Sequence, residues 1–194
     1  AAQLVVTPYY NKTTQEGLYA HFMAIAEHTE LPIVLYNVPG RTGLDIAPET
    51  IDRLAESGRF VALKESSYDL PRVMEKISAM RGRLTLYSGN DDQVVPILAL
   101  GGKGVISVVS NVAPEPMHRM CQLWFEGKTK ESLDLQLQLM GLCKAMFCEV
   151  NPIPVKAALG MMGLPAGPCR LPLVPLSDDH AEQVRRELQN AGLL

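Results

Sequence analysis

Phe60-Val61-Ala62-Leu63-Lys64-Glu65-Ser66 is a strand-sized, mostly apolar run that ends on a lysine. A run apolar on both sides of the pleat reads as a strand buried on both faces, which is the pattern of a parallel sheet. Working outward, Leu4-Tyr10, Pro32-Val38, Leu84-Gly89 and Gly104-Asn111 are runs of the same kind. Helix-like spans lie between them at about Gln15-His28, Pro48-Ser57, Leu70-Met80 and Asp91-Leu100, with apolar residues three and four apart. Such alternation predicts repeated βαβ units.

The punctuation agrees. Thr14 and Asp69 are placed to cap helices, Pro48 and Pro71 suit first turns, and Gly58, Gly82 and Gly101 stand where helices stop. Beyond the fifth run, helices are expected at about Glu115-Glu126, Lys130-Glu149, Ile153-Met162 and Asp179-Asn190, the last capped by Ser177. Leu164-Pro175 holds four of the fourteen prolines and reads as an extended spacer. The expected fold is α/β: an incomplete TIM (β/α)8 barrel of about five parallel βα units over 1–127, with a C-terminal helical region over 128–194. A closed barrel takes about 250 residues. The chain enters a strand almost at Ala1 and reads as a beginning cut from something longer, three strand-helix units short.

Bulk properties exclude several classes. A net charge of −3 with interspersed signs offers no electrostatic footprint for nucleic acid. No apolar stretch approaches the roughly 20 residues that cross a bilayer, and nothing resembles a signal peptide, so no membrane partner and a cytoplasmic setting are expected. Cys121, Cys143, Cys148 and Cys169 have neither C-x-x-C spacing nor the density of a disulfide framework, and read as reduced thiols. His21, His28, His118 and His180 lack metal-ligand spacing, so no metal is expected.

Lys64 is the first candidate for chemistry. At the mouth of a packed parallel sheet a lysine is partly desolvated, which favours the neutral amine that condenses with a keto acid. Its plainer reading is a solvated strand-end lysine paired with Glu65. Tyr10 and Tyr36, near the ends of the first and second runs, would project toward the same face, where a phenol can relay protons. Either could instead fill a barrel mouth. Arg41, flanked by Gly40 and Gly43, could hold a carboxylate with two parallel hydrogen bonds, or be an exposed loop arginine. Gly89, in Ser88-Gly89-Asn90, could let a carboxylate approach amides at a helix N-terminus, or be a turn glycine.

Thr7-Pro8-Tyr9-Tyr10, Tyr36-Asn37-Val38-Pro39-Gly40-Arg41-Thr42-Gly43, Leu63-Lys64-Glu65, Ser88-Gly89-Asn90-Asp91, Gly104-Val105-Ile106-Ser107 and Asn151-Pro152-Ile153-Pro154-Val155-Lys156 occur in this order. Together they resemble the dihydrodipicolinate synthase family (4-hydroxy-tetrahydrodipicolinate synthases), pyruvate-dependent class I aldolases, from Leu4 to Leu194. The resemblance implies that Lys64 forms an imine with pyruvate, with no cofactor beyond that covalent link. It also implies that Tyr36 relays protons and orients the imine, that Arg41 holds the carboxylate of aspartate semialdehyde, and that Gly89 and Ile106 line the pyruvate pocket. Arg41 followed by Thr42-Gly43 argues against the related N-acetylneuraminate lyases. Tyr10 matches a tyrosine lent to a neighbouring subunit's relay, and Tyr9 a position at the lysine feedback site, so a homo-oligomer is implied. The pathway implied is diaminopimelate and lysine biosynthesis. The family's first three strand-helix units, with a Gly-Thr-Thr-Gly-Glu motif, have no counterpart in the sequence. The rival readings are an inactive relative serving as a binding or assembly protein, and an aldolase for a different 2-keto acid.

Overall fold

In a computed structural model describing residues 1–194, the buried apolar stripes of the sequence converge on a four-stranded parallel sheet in the order β1-β2-β3-β4. The strands are β1 (Gln3–Val6), β2 (Ile33–Asn37), β3 (Phe60–Glu65) and β4 (Thr85–Ser88). Between them run α1 (Gln15–Glu27), the short α2 (Pro39–Thr42), α3 (Pro48–Glu56) and α4 (Leu70–Met80). After β4 come a 3-10 turn at Asp91–Gln93, α5 (Val94–Ala99), a second 3-10 turn at Val109–Asn111, then α6 (Pro114–Phe125), α7 (Thr129–Ala145), α8 (Ile153–Met161) and α9 (Asp178–Asn190).

α1 shows why these elements form where they do. Thr14 Oγ1 accepts the Gly17 amide at 3.2 Å, satisfying one of the free N–H groups of the first turn. Leu18, Phe22 and Ala26 then recur every four residues and are buried. They pack with Ile51 and Leu54 of α3 and with Ile33, Leu35 and Leu63 of the sheet. Phe22 meets Phe60 edge-on, centroids 6.0 Å apart. Gln15 ties α1 to α3: its Nε2 donates to Asp45 O at 2.8 Å, and its Oε1 accepts from the Ala47 amide at 3.0 Å and from Thr50 Oγ1 at 2.7 Å. Ala47 has no side chain to cap α3, and Gln15 supplies the acceptor from across the fold.

Leu35 and Leu63 face the helices, so alternation turns Tyr36 and Lys64 to the other side of the sheet. The expected five strands are four. Ser88 pairs with Val105 as a single parallel bridge, its amide donating to Gly104 O at 2.9 Å and its carbonyl accepting from Ile106 at 2.8 Å. The fifth run then leaves the ladder, because Asp91 Oδ2 takes the Val108 and Val109 amides at 3.0 and 3.1 Å and the backbone turns into a 3-10 helix. The first run is also shorter than expected. β1 stops at Val6, opposite Tyr36, where Pro8 and Pro39 can donate nothing to a continuing ladder.

By its internal contacts the chain forms two compact units, Ala1–Asn90 with Ile97–Ile106, and Asp91–Pro96 with Ser107–Leu194. The division expected at 127/128 lies inside the second. In that unit α7 packs against α6 and α9, and α8 against α9. Ser132 Oγ donates to Met120 O at 2.8 Å, and Gln136 binds Asp91 O at 2.9 Å and the Val95 amide at 3.2 Å. Ser177 stands at the N-cap of α9 but makes no capping bond. Its hydroxyl and amide both donate to Glu149 Oε1, at 2.6 and 3.1 Å, which His180 Nδ1 also meets at 2.8 Å.

Candidate active site

Tyr36 and Lys64 are register partners at the carboxyl-terminal ends of β2 and β3. Lys64 Nζ lies 4.1 Å from the centre of the Tyr36 ring, and both residues are half-buried. The aromatic face lies against the lysine head group at the carboxyl-terminal ends of these two inner strands. Glu65 does not pair with Lys64. It points to the opposite face, where Lys76 Nζ binds its Oε2 at 2.9 Å. Lys64 therefore has no carboxylate of its own, and the strand-end ion pair that would have made it an ordinary surface lysine is absent.

Beneath the pair runs a buried polar layer that sequence reasoning missed. Asn37, next to Tyr36, donates to both carboxylate oxygens of Glu65 at 3.0 Å and to Asp45 Oδ1 at 2.8 Å, and its own oxygen accepts the Ile46 amide at 3.0 Å. Lys76 of α4, fully buried, bridges Glu65 and Asp45. Arg72 adds a bond to Asp45 Oδ2 at 3.1 Å. Burial pushes the Asp45 carboxyl up, but the Lys76 hydrogen bond and charge, with Asn37 and Arg72, outweigh it and hold the group below its ordinary value. The layer joins the ends of β2 and β3 to α4 and to the segment that follows Arg41. The available signal was Lys76 itself, a lysine between Val73 and Met80 on the stripe that α4 buries.

Arg41 is exposed on α2, not in an open loop. The turn is closed by Thr42, whose hydroxyl donates to Leu44 O at 3.1 Å, and by Gly43, whose φ of 65° is left-handed. Gly89 follows β4 directly. Its amide is spent on Glu65 O at 2.7 Å and is not free for a ligand. A Cβ there would stand 1.9 Å from Ser66 Oγ, 3.0 Å from Lys64 Cε and 3.1 Å from Glu65 O, so only a glycine lets the Ser66 hydroxyl and the lysine side chain pack against this backbone. Ile106, half-buried, is fixed by its bond to Ser88 O.

Tyr10 is not brought to Lys64. With β1 ended at Val6 the chain bends, and Tyr9 and Tyr10 are 73% and 88% exposed. No group of three or more histidine, cysteine or acidic side chains is placed to hold a metal ion. No helix is long and apolar enough to cross a membrane. Elsewhere a cleft of about 300 Å³ in the second unit is lined by Ile153, Lys156, Cys169 and Val174 among others, and by none of the candidate residues.

A helix-covered parallel sheet whose four strands lie side by side in chain order, with polar side chains gathered at their carboxyl ends, matches a segment of the (β/α)-barrel architecture. Within that class the chain belongs to the dihydrodipicolinate synthetase family, whose sequence pattern matches residues 1–191. The 4-hydroxy-tetrahydrodipicolinate synthase of Acetivibrio thermocellus is 52% identical over 193 residues, all of this chain and 65% of that protein. The dihydrodipicolinate synthase structure from Thermotoga maritima superposes with a TM-score of 0.95 at 47% identity, over all of this chain and 67% of that one. The chloride-inhibited enzyme from Acinetobacter baumannii, complexed with pyruvate, gives 0.94 at 45%, over all of this chain and 66% of that one. This chain thus spans about two thirds of the length of the relatives it matches.

Proposed function

We propose that the chain carries the imine-forming site of a 4-hydroxy-tetrahydrodipicolinate synthase, condensing pyruvate with aspartate semialdehyde in lysine and diaminopimelate biosynthesis, in the cytoplasm and without a cofactor. The observation that supports this best is Lys64 Nζ 4.1 Å from the centre of the Tyr36 ring, free of any carboxylate, with Gly89 beside its side chain. Lys64 is the nucleophile toward the keto carbonyl, Tyr36 the proton relay, and exposed Arg41 the cation for the semialdehyde carboxylate. Ile106 borders the pyruvate. The exposure of Tyr9 and Tyr10 suits a second copy of the chain, to which Tyr10 lends its phenol and near which Tyr9 belongs to a lysine site.

Mass spectrometry after incubation with pyruvate and borohydride tests the reading. Reduction of the C=N bond fixes the adduct, which is expected on Lys64 and lost in Lys64→Ala. A folded chain without adduct would point instead to a relative that binds or assembles without catalysing. Aldehyde acceptors with and without a carboxylate separate this synthase from another 2-keto acid aldolase, since Arg41 demands the charge.

A further inference from the structure

Ser66 has a hydroxyl to which nothing above gives a role. Its Oγ is buried and makes no hydrogen bond, while its amide is engaged by Asn37 O at 2.8 Å. Of the buried, unpartnered hydroxyls of Thr7, Ser66 and Ser67, that of Ser66 stands with Lys64 Cε against the bare Cα of Gly89. A Cβ on Gly89 would lie 1.9 Å from Ser66 Oγ and 3.0 Å from Lys64 Cε, so the hydroxyl takes the place that the missing Cβ leaves, next to the lysine side chain. A hydroxyl taken out of water without a partner costs stability, and native proteins keep few of them. One kept beside a candidate nucleophile is explained if its partner arrives with the substrate.

We propose that Ser66 belongs to the lysine site and that its hydroxyl hydrogen-bonds the oxygen that the keto acid's carbonyl becomes in the Lys64 adduct; this rests on the imine reading above. In the first step the Nζ lone pair bonds to the carbonyl carbon, the π pair passes to oxygen, and a proton moves from nitrogen to that oxygen. In the second the nitrogen lone pair closes C=N, and the oxygen leaves as water with a proton from the Tyr36 phenol. The oxygen changes from carbonyl acceptor to hydroxyl to leaving water, and at each stage a hydroxyl that can both donate and accept can stay bonded to it. The Tyr36 ring lies by Nζ, and Ser66 Oγ stands by Gly89 on the Cε side of the same lysine.

The test compares borohydride-trapping rates at limiting pyruvate for the unaltered chain, Ser66→Ala and Ser67→Ala, with thermal midpoints alongside. Ser66→Ala is expected to slow trapping by about tenfold or more, the worth of one hydrogen bond to a reacting group, with a midpoint unchanged or raised because no folded-state bond is lost. Ser67→Ala, which removes an equally buried and unpartnered hydroxyl, is expected to trap at the unaltered rate. Equal trapping by all three chains, equal slowing by both serine variants, or a lowered midpoint in Ser66→Ala each overturns the proposal and leaves the imine reading standing. No adduct on the unaltered chain overturns both.

Discussion

Gly89 is the residue whose replacement reports most directly on the site. Alanine there drives a methyl into Ser66 Oγ and against Lys64 Cε and Glu65 O. Gly89→Ala should cost roughly 1–3 kcal/mol, as overpacking of a dense site does, and should displace Lys64 enough to remove the pyruvate adduct. Adding Ser66→Ala removes the nearest contact, so the double variant should regain part of the stability, a coupling that denaturant titration of all three variants would measure. Lys64 and Tyr36 were legible because each closes a run buried on both faces, and parallel strands bring such ends to one edge. Their pairing was not. It depends on a register shift between Ile33 and Val34, which no local pattern announces. Thr7-Pro8-Tyr9-Tyr10 prolongs a strand-like run in the sequence, whereas the ladder stops at Val6 and leaves Tyr9 and Tyr10 exposed.

α4 carries the Arg72 and Lys76 part of the polar layer under the site and is capped at its start. Asp69 accepts the Arg72 amide at 3.0 Å, and Asp69→Ala should cost about 1 kcal/mol, a typical loss for an N-cap. Lys76→Met is more severe, because it strands the buried Glu65 carboxylate; a loss of roughly 3 kcal/mol or more is expected. Pairing it with Glu65→Gln should restore much of that, and a double variant no better than the single would show that the ion pair is not the source. In the helical unit, Glu149 serves α9 in place of the Ser177 cap expected from the sequence. The Ser177 hydroxyl, then His180, hold its carboxyl down to about 2 against an ordinary 4.5. Folding favours its ionised form, so its contribution is complete above pH 4.5 and is lost as pH falls toward 2. Thermal midpoints of Glu149→Gln measured between those values should vary less with pH than those of the unaltered chain. The helices of this unit were readable to within a few residues from their apolar spacing. The cap was not, because its acceptor comes from 28 residues away.

At the scale of the whole chain, β1 and β4 are the terminal strands of the sheet; β4 takes the Lys103 amide on Leu86 O and the bridge to Val105, whereas β1 has no strand on its outer side. Terminal strands with free backbone groups invite pairing, and Tyr9 and Tyr10 add exposed aromatic surface. Sedimentation should therefore find self-association, and a monodisperse monomer would count against the shared site. The sequence pointed to the parallel sheet and the helical region through their beat of runs and spans. The compact units escaped it, because Asp91–Pro96 and Ile97–Ile106 exchange allegiance within a single short helix, and contacts settle that exchange. The same division separates the chain's optical signals. Trp124, the single tryptophan, sits on α6 in the second unit, whereas Lys64 and Tyr36 stand in the first. Indole fluorescence thus reports on the helical unit, and the far-ultraviolet dichroism sums both. In a urea titration, superimposed curves would mean that the unit bearing the lysine melts only with its neighbour. Separated curves would mean that the site can be lost while the tryptophan still reads native.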